Sequence, residues 1–64
     1  MLKGRVKVWN QMSGWGFISS EDGEDYFLNI KHIRKGQSIR IGSRVKFDAE
    51  EGHKGPQAVN VTLY

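Results

Sequence analysis

Trp15 and Phe17 stand two residues apart in Ser13-Gly-Trp-Gly-Phe-Ile18, within a stretch that alternates like a β-strand. Side chains at i and i+2 of a strand project from the same face, so the two rings form one surface. Gly14 and Gly16 flank Trp15 and remove side chains that would crowd a flat ligand. Phe27 joins that face if its own segment pairs back across Asp22-Gly23. Rings clustered toward solvent are unusual in a small protein unless something covers them. Unpaired bases suit the task, since stacking a base on an aromatic contributes about 1–3 kcal/mol and tolerates any base. The competing assignment puts the rings in a core. It fits Phe47, which alternates with Val45, but for Trp15 and Phe17 it would turn Gly16 and Ile18 outward.

Little else in the chain points to bond-making chemistry. There is no cysteine, hence no disulfide framework and no thiolate metal site. His32 and His53 are far apart in the sequence, and neither lies in a nucleophile context. Glu21-Asp22 and Glu24-Asp25 bracket an Asp-Gly turn and read as solvated hairpin residues. Gly14-Trp15-Gly16 is followed by no Lys-Ser/Thr pair and no helix start, so it is not a phosphate loop. The expectation is a protein that is no enzyme, uses no cofactor or metal and takes no small-molecule substrate.

The elements that must position the rings are short strands. Residues 3–9 alternate, with Val6 and Val8 expected on one face and Arg5, Lys7 and Trp9 on the other. Residues 10–14 form a turn, and 15–19 a second strand that a hairpin at Asp22-Gly23 joins to a third at 25–30. Residues 31–43 are the least regular and have room for one helical turn at 31–33. Residues 44–50 read as a fourth strand, 51–56 as a flexible connection and 57–63 as a fifth strand. The expected core is Val6, Ile18, Leu28, Ile33, Val45, Phe47, Ala58 and Val61. Five strands with early hairpins and one long crossover make an all-β, antiparallel Greek-key barrel, one domain over 1–64. Closure keeps the edges of a basic, aromatic sheet from pairing with other chains.

At 64 residues the domain is marginal, burying only about 60% of its unfolded surface. No apolar run approaches the roughly 20 residues that span a bilayer, and the first residues lack the apolar segment of a secretory signal. No membrane association and a cytoplasmic location are therefore expected. Net charge is +3, but its distribution says more. No acid occurs between Tyr26 and Phe47, where Lys31, Arg34, Lys35, Arg40, Arg44 and Lys46 all lie. The acids gather at 21–25 and 48–51. A segregated basic surface is the footprint of a polyanion partner.

Four blocks, Gly4-Arg-Val-Lys-Val-Trp-Asn10, Ser13-Gly-Trp-Gly-Phe-Ile18, Asp25-Tyr-Phe-Leu-Asn-Ile30 and Lys54-Gly-Pro-Gln-Ala-Val-Asn-Val61, together resemble the bacterial cold-shock domain. They occur in that family's order and spacing and span essentially the whole chain. The resemblance implies an OB-type barrel that binds single-stranded RNA and DNA with little sequence preference, as nucleic-acid chaperones do. Carried over by position, it implies a binding face of Lys7, Trp9, Trp15, Phe17 and Phe27, with Lys54 and Gln57 on the rim. Several positions depart from the family pattern. Val8 stands for the signature Trp, Ser13 for a Lys, Asn29 for a His and Ile30 for a Phe, while Tyr26 takes a place usually held by a buried Val or Ile. The 33–42 loop is shorter than usual and lacks an aromatic. Asn29 and the cations Lys31, Arg34 and Lys35 complete the candidate interface, the loop charges compensating for lost ring area.

The alternative is a small SH3-like barrel whose exposed rings dock a peptide. Such grooves usually carry acids to meet basic ligands, which the acid-free stretch does not supply. Small barrels with a long third connection can exchange strands, so a monomer or a strand-exchanged dimer is expected.

Overall fold

The alternation along the chain becomes five strands in a computed structural model that describes all residues, Met1–Tyr64. The strands are β1 (Leu2–Asn10), β2 (Trp15–Ser20), β3 (Asp25–Asn29), β4 (Arg44–Gly52) and β5 (Gly55–Leu63), with a single 3-10 turn at Ile30–His32. They close into a barrel in the order β1-β2-β3-β5-β4, so no strand is left with a free edge. Every pairing is antiparallel except β3 with β5. The all-β, five-stranded barrel is the one the alternation implied and its OB type the one the resemblance implied, but the parallel β3–β5 pair corrects the expectation of a wholly antiparallel sheet.

Two boundaries and one strand's facing differ from the sequence expectation. The helical turn begins one residue early, because the Asn29 side chain caps it by accepting from the Lys31 N–H at 3.0 Å. The supposedly flexible 51–56 segment is mostly strand: β4 and β5 pair out to Gly52 and Gly55, leaving His53-Lys54 as a tight turn. Gly55 at φ 104 supplies the conformation that closes it. In β1 the regular alternation fails. Val6 pairs with Ile18 but Val8 with Phe17, so Lys7 is the extra residue of a β-bulge. Val6 and Val8 therefore lie on opposite faces, and Trp9 turns toward the barrel.

Val6, Ile18, Leu28, Val45, Phe47, Ala58 and Val61 are buried as expected, and Ile33 packs on them half-buried. Two further members come from places where the pattern was weak. Ile39 enters from the 33–43 connection, and the Tyr26 ring packs 5.2 Å from that of Phe47. The connection is held by Gln37, whose Nε2 donates to the carbonyls of Arg34 (3.2 Å) and Val61 (3.1 Å) while its Oε1 accepts from the Leu63 N–H at 2.6 Å. Its far end closes on β1, where Gly42 N–H donates to the Val6 carbonyl at 2.7 Å and Val6 N–H to that of Ser43 at 3.0 Å.

Leu28 is wholly enclosed at the centre of β3. Leu28→Ala is expected to cost about 2–5 kcal/mol in urea unfolding, a large part of the stability a domain this small can have. Tyr26 adds a pH-dependent contribution. Its hydroxyl reaches the surface and donates to Asp22 Oδ2 at 2.7 Å. The Asp22 acceptor, burial of the phenol and the neighbouring carboxylates push the Tyr26 pKa from 10.0 up to about 12. The same hydroxyl, followed by the Glu24 N–H, holds the Asp22 carboxyl below its usual 3.8. The folded state thus keeps the phenol proton after the unfolded chain releases it, so this contribution is whole below pH 10.0 and disappears toward about 12. The Asp22 contribution disappears instead as pH falls below 3.8. Tyr26→Phe is expected to flatten the alkaline decline of the denaturation midpoint over that window. An unchanged decline would assign it to other groups.

Candidate nucleic-acid interface

On β2, Gly16 and Ile18 face the interior, which leaves Trp15, Phe17 and Ser19 on the outer surface. The reason for Gly16 differs from the one the sequence suggested. A Cβ there would collide with the Val8 carbonyl oxygen and crowd the Trp9 Cα, both in β1. Gly16 is therefore needed for close approach of two strands inside the barrel wall, not for ligand clearance. Gly14, at φ 73, turns the chain into β2, donating its N–H to the Asn10 carbonyl and accepting from the Ile30 N–H, each at 2.8 Å.

β3 lies across β2 with Phe27 opposite Phe17 and Asn29 opposite Trp15. The three rings form one cluster: Phe17 and Phe27 meet edge-on at 5.7 Å, Trp15 and Phe17 edge-on at 6.2 Å, and Trp15 and Phe27 lie near-parallel at 6.4 Å. Trp15 is 39% exposed, and Phe17 and Phe27 are half-buried. Beside them runs an open groove of about 330 Å³, floored by Trp15 and Phe27 and walled by Asn29, Ile30, Lys31, Lys54 and Gln57. The Lys54 ammonium sits 5.3 Å from the centre of the Phe27 ring, a cation–π contact at the groove's mouth. Gln57 donates to Glu50 Oε2 at 2.7 Å, which fixes its amide at the rim. The Asn29 oxygen is committed to the 3-10 turn, leaving its Nδ2 unbonded within the chain.

The structure thus brings Trp15, Phe17, Phe27, Asn29, Lys31, Lys54 and Gln57 together. Three kinds of residue stand apart. Lys7 lies at the outer edge, its Nζ 2.8 Å from Asp25 Oδ2 in the chain's single ion pair. Arg34 and Lys35 line a neighbouring hollow of about 420 Å³ on the other side of Ile30. Trp9 is not on the ring surface. The bulge turns it inward, where it is half-buried against the core, and its Nε1 donates to Gln11 Oε1 at 2.9 Å. Val8 takes the outer place beside Phe17 and is 37% exposed. Val8 lies beside the rings and Ile30 and His53 line the groove, places that strict alternation did not give them. A bulge leaves no period-two signal, and Ile30 and His53 follow strands rather than belong to them.

No three His, Asp or Glu side chains converge in a metal-ligating cluster. No helix is long and apolar enough to cross a membrane.

Comparison with known proteins agrees with this geometry over the whole barrel. The family model described as "'Cold-shock' DNA-binding domain" matches residues 2–64. The chain is 45% identical over 64 residues to the major cold shock protein of Streptococcus pyogenes serotype M1, covering 97% of this chain and 96% of that one. It is 44% identical over 62 residues to the cold shock-like protein CspC of Bacillus cereus, covering 94% and 95%. It is 41% identical over 63 residues to cold shock protein 2 of Lactiplantibacillus plantarum, covering 95% and 96%.

Val8 offers a direct probe of the ring surface, since it is exposed, opposite Phe17 and small. Val8→Trp is expected to tighten oligo-dT binding by about 1–3 kcal/mol, one added stacking contact, in a fluorescence titration. Unchanged affinity would mean that the bases do not pass over β1.

Proposed function

The chain belongs to the cold-shock DNA-binding domain family, and from that premise we propose that it binds single-stranded RNA and DNA with little sequence preference, as a nucleic-acid chaperone in the cytoplasm. The observation that carries this reading is the cluster of Trp15, Phe17 and Phe27 on one outward face, 5.7–6.4 Å apart. Stacking needs base faces that are free, so the platform selects unpaired strands and holds them open. A strand on the platform passes Asn29, Lys31, Lys54 and Gln57, whose uncommitted donors and charges meet phosphates and base edges. Nothing in this arrangement makes or breaks a bond; the protein acts by mass action on the open strand.

The peptide-docking alternative loses its footing in the groove itself. Its walls contain no carboxylate, while Lys31 and Lys54 both border it.

Binding energy divides between stacking and charge. Phe17→Ala is expected to weaken oligo-dT binding by about 1–3 kcal/mol at every salt concentration. Arg34 and Lys35 carry an electrostatic share from the adjoining hollow. Replacing both by Ala is expected to flatten the slope of log affinity against log salt by about one unit or more, since each neutralised phosphate adds about −0.7. Unlabelled oligo-dT or oligo-rU is expected to displace a labelled single strand far better than matched duplex does. Equal displacement by duplex would reduce the protein to a nonspecific polyanion binder.

A further inference from the structure

The outer face shared by β1 and β4 carries four cations in an arrangement that works against the fold. Lys3 lies directly across from Lys46, and Arg5 directly across from Arg44. The alternate positions Leu2, Gly4, Val45 and Phe47 take the inner side, so all four charged chains point outward. Like charges at directly opposed positions of a sheet are destabilising. None of the four makes an ion pair, since the chain's one salt bridge joins Lys7 to Asp25. Glu21 spends an oxygen on the Lys3 backbone N–H at 3.3 Å, and Asp48 accepts from Asn60 at 3.0 Å. Arg5 reaches only a neutral acceptor, the Gly42 carbonyl, at 3.3 Å. The Tyr64 ring lies 5.5 Å from the Lys3 ammonium and 5.2 Å from the Arg44 guanidinium, which softens the repulsion without cancelling charge.

This face is continuous with the ring platform. Phe27, Phe17 and Val8 succeed one another across β3, β2 and β1. From Val8, the outer side of β1 continues through Lys7 and Arg5 to Lys3, a run of roughly 16 Å at strand rise. Lys3, Arg5, Lys7, Arg44 and Tyr64 line an open groove of about 480 Å³ along it, with Glu21 as the one carboxylate in its wall. The carboxylates Asp25 and Glu21 flank the β2–β3 side of this region, so the cationic route out of the platform leads toward β4.

We propose that the β1–β4 face is a second phosphate-binding stretch, which takes the backbone of the same single strand after it leaves the rings at Val8. This rests on the stacking reading of the platform and lengthens its footprint. Bases stack on one half of the path, and the other half holds phosphates by charge alone. The unpaired cations and the cross-strand repulsion are both relieved when the strand is seated.

Salt dependence measured at two lengths tests this. Oligo-dT of about 5 and about 16 nucleotides brackets the site size of such barrels. In the variant Lys3→Thr/Arg44→Thr/Lys46→Thr, the slope of log affinity against log salt is expected to flatten by about 2 units for the long strand, about 0.7 per lost contact. The slope for the short strand is expected not to change. Thermal unfolding at low salt is expected at the same temperature or higher, because both like-charge pairs are gone. Should the triple variant fail to fold, Lys3→Thr/Lys46→Thr removes one pair and is expected to flatten the long-strand slope by about 1.4 units. An unchanged long-strand slope, or equal flattening at both lengths, would overturn the proposal. Two short strands bound per chain at saturation would also overturn it, by making the face a separate site. Failure of the unsubstituted protein to bind the short strand would instead bring down the platform reading itself.

Discussion

The close approach of β1 to Gly16 is the contact on which the rest of the barrel depends. The Val8 carbonyl lies where any side chain at position 16 would begin. Only a residue without Cβ lets β1 bulge at Lys7 and still keep its ladder with β2. The bulge then sorts the neighbouring side chains. Val6 goes inward onto Ile18, Lys7 goes out to Asp25, Val8 joins Phe17, and Trp9 covers the end of the core. With Gly16 and Ile18 thereby fixed inside, Trp15 and Phe17 have no place but the surface. The exposed rings are the other side of a well-filled interior.

Charge follows the same geometry. The acids of the β2–β3 hairpin and of the end of β4 are used locally: Asp22 accepts from Tyr26, Asp25 from Lys7, Glu50 from Gln57 and Asp48 from Asn60. The cations are mostly unpaired, and they border the rings on two sides, through the 33–43 connection and along β1 and β4. Local partners for most of these anions, and an ion pair for Lys7 alone among the cations, leave a net positive field around an aromatic floor. That combination suits a flexible polyanion with stackable groups better than a peptide or a rigid duplex.

Much of this was legible in the sequence because strands announce themselves by alternation. Ile18, Leu28, Val45 and Phe47 fall inward and Trp15, Phe17 and Phe27 outward just as period two requires. What escaped were features that break the period or act over distance. The Lys7 bulge reverses Val8 and Trp9, and nothing local marks it except the glycine on the facing strand. Ile39 reaches the core from an irregular connection whose path is set by Gln37 hydrogen bonds to β5, 24 and 26 residues away. The like-charge pairs of β1 and β4 depend on register, which a single sequence does not display.

If bases stack on a face that contains Trp15 and excludes Trp9, the two tryptophans report it separately. Trp9→Phe leaves Trp15 as the sole indole, and Trp15→Phe leaves Trp9. Emission quenching by short oligo-dT is the measurement, made at low salt and repeated at high salt, where phosphate contacts weaken and stacking persists. Strong quenching that survives in high salt in the Trp9→Phe protein, with little in the Trp15→Phe protein, is the expected result. Quenching carried by Trp9 instead, or lost from Trp15 as salt rises despite saturating strand, would mean that the bases do not stack on the Trp15 face.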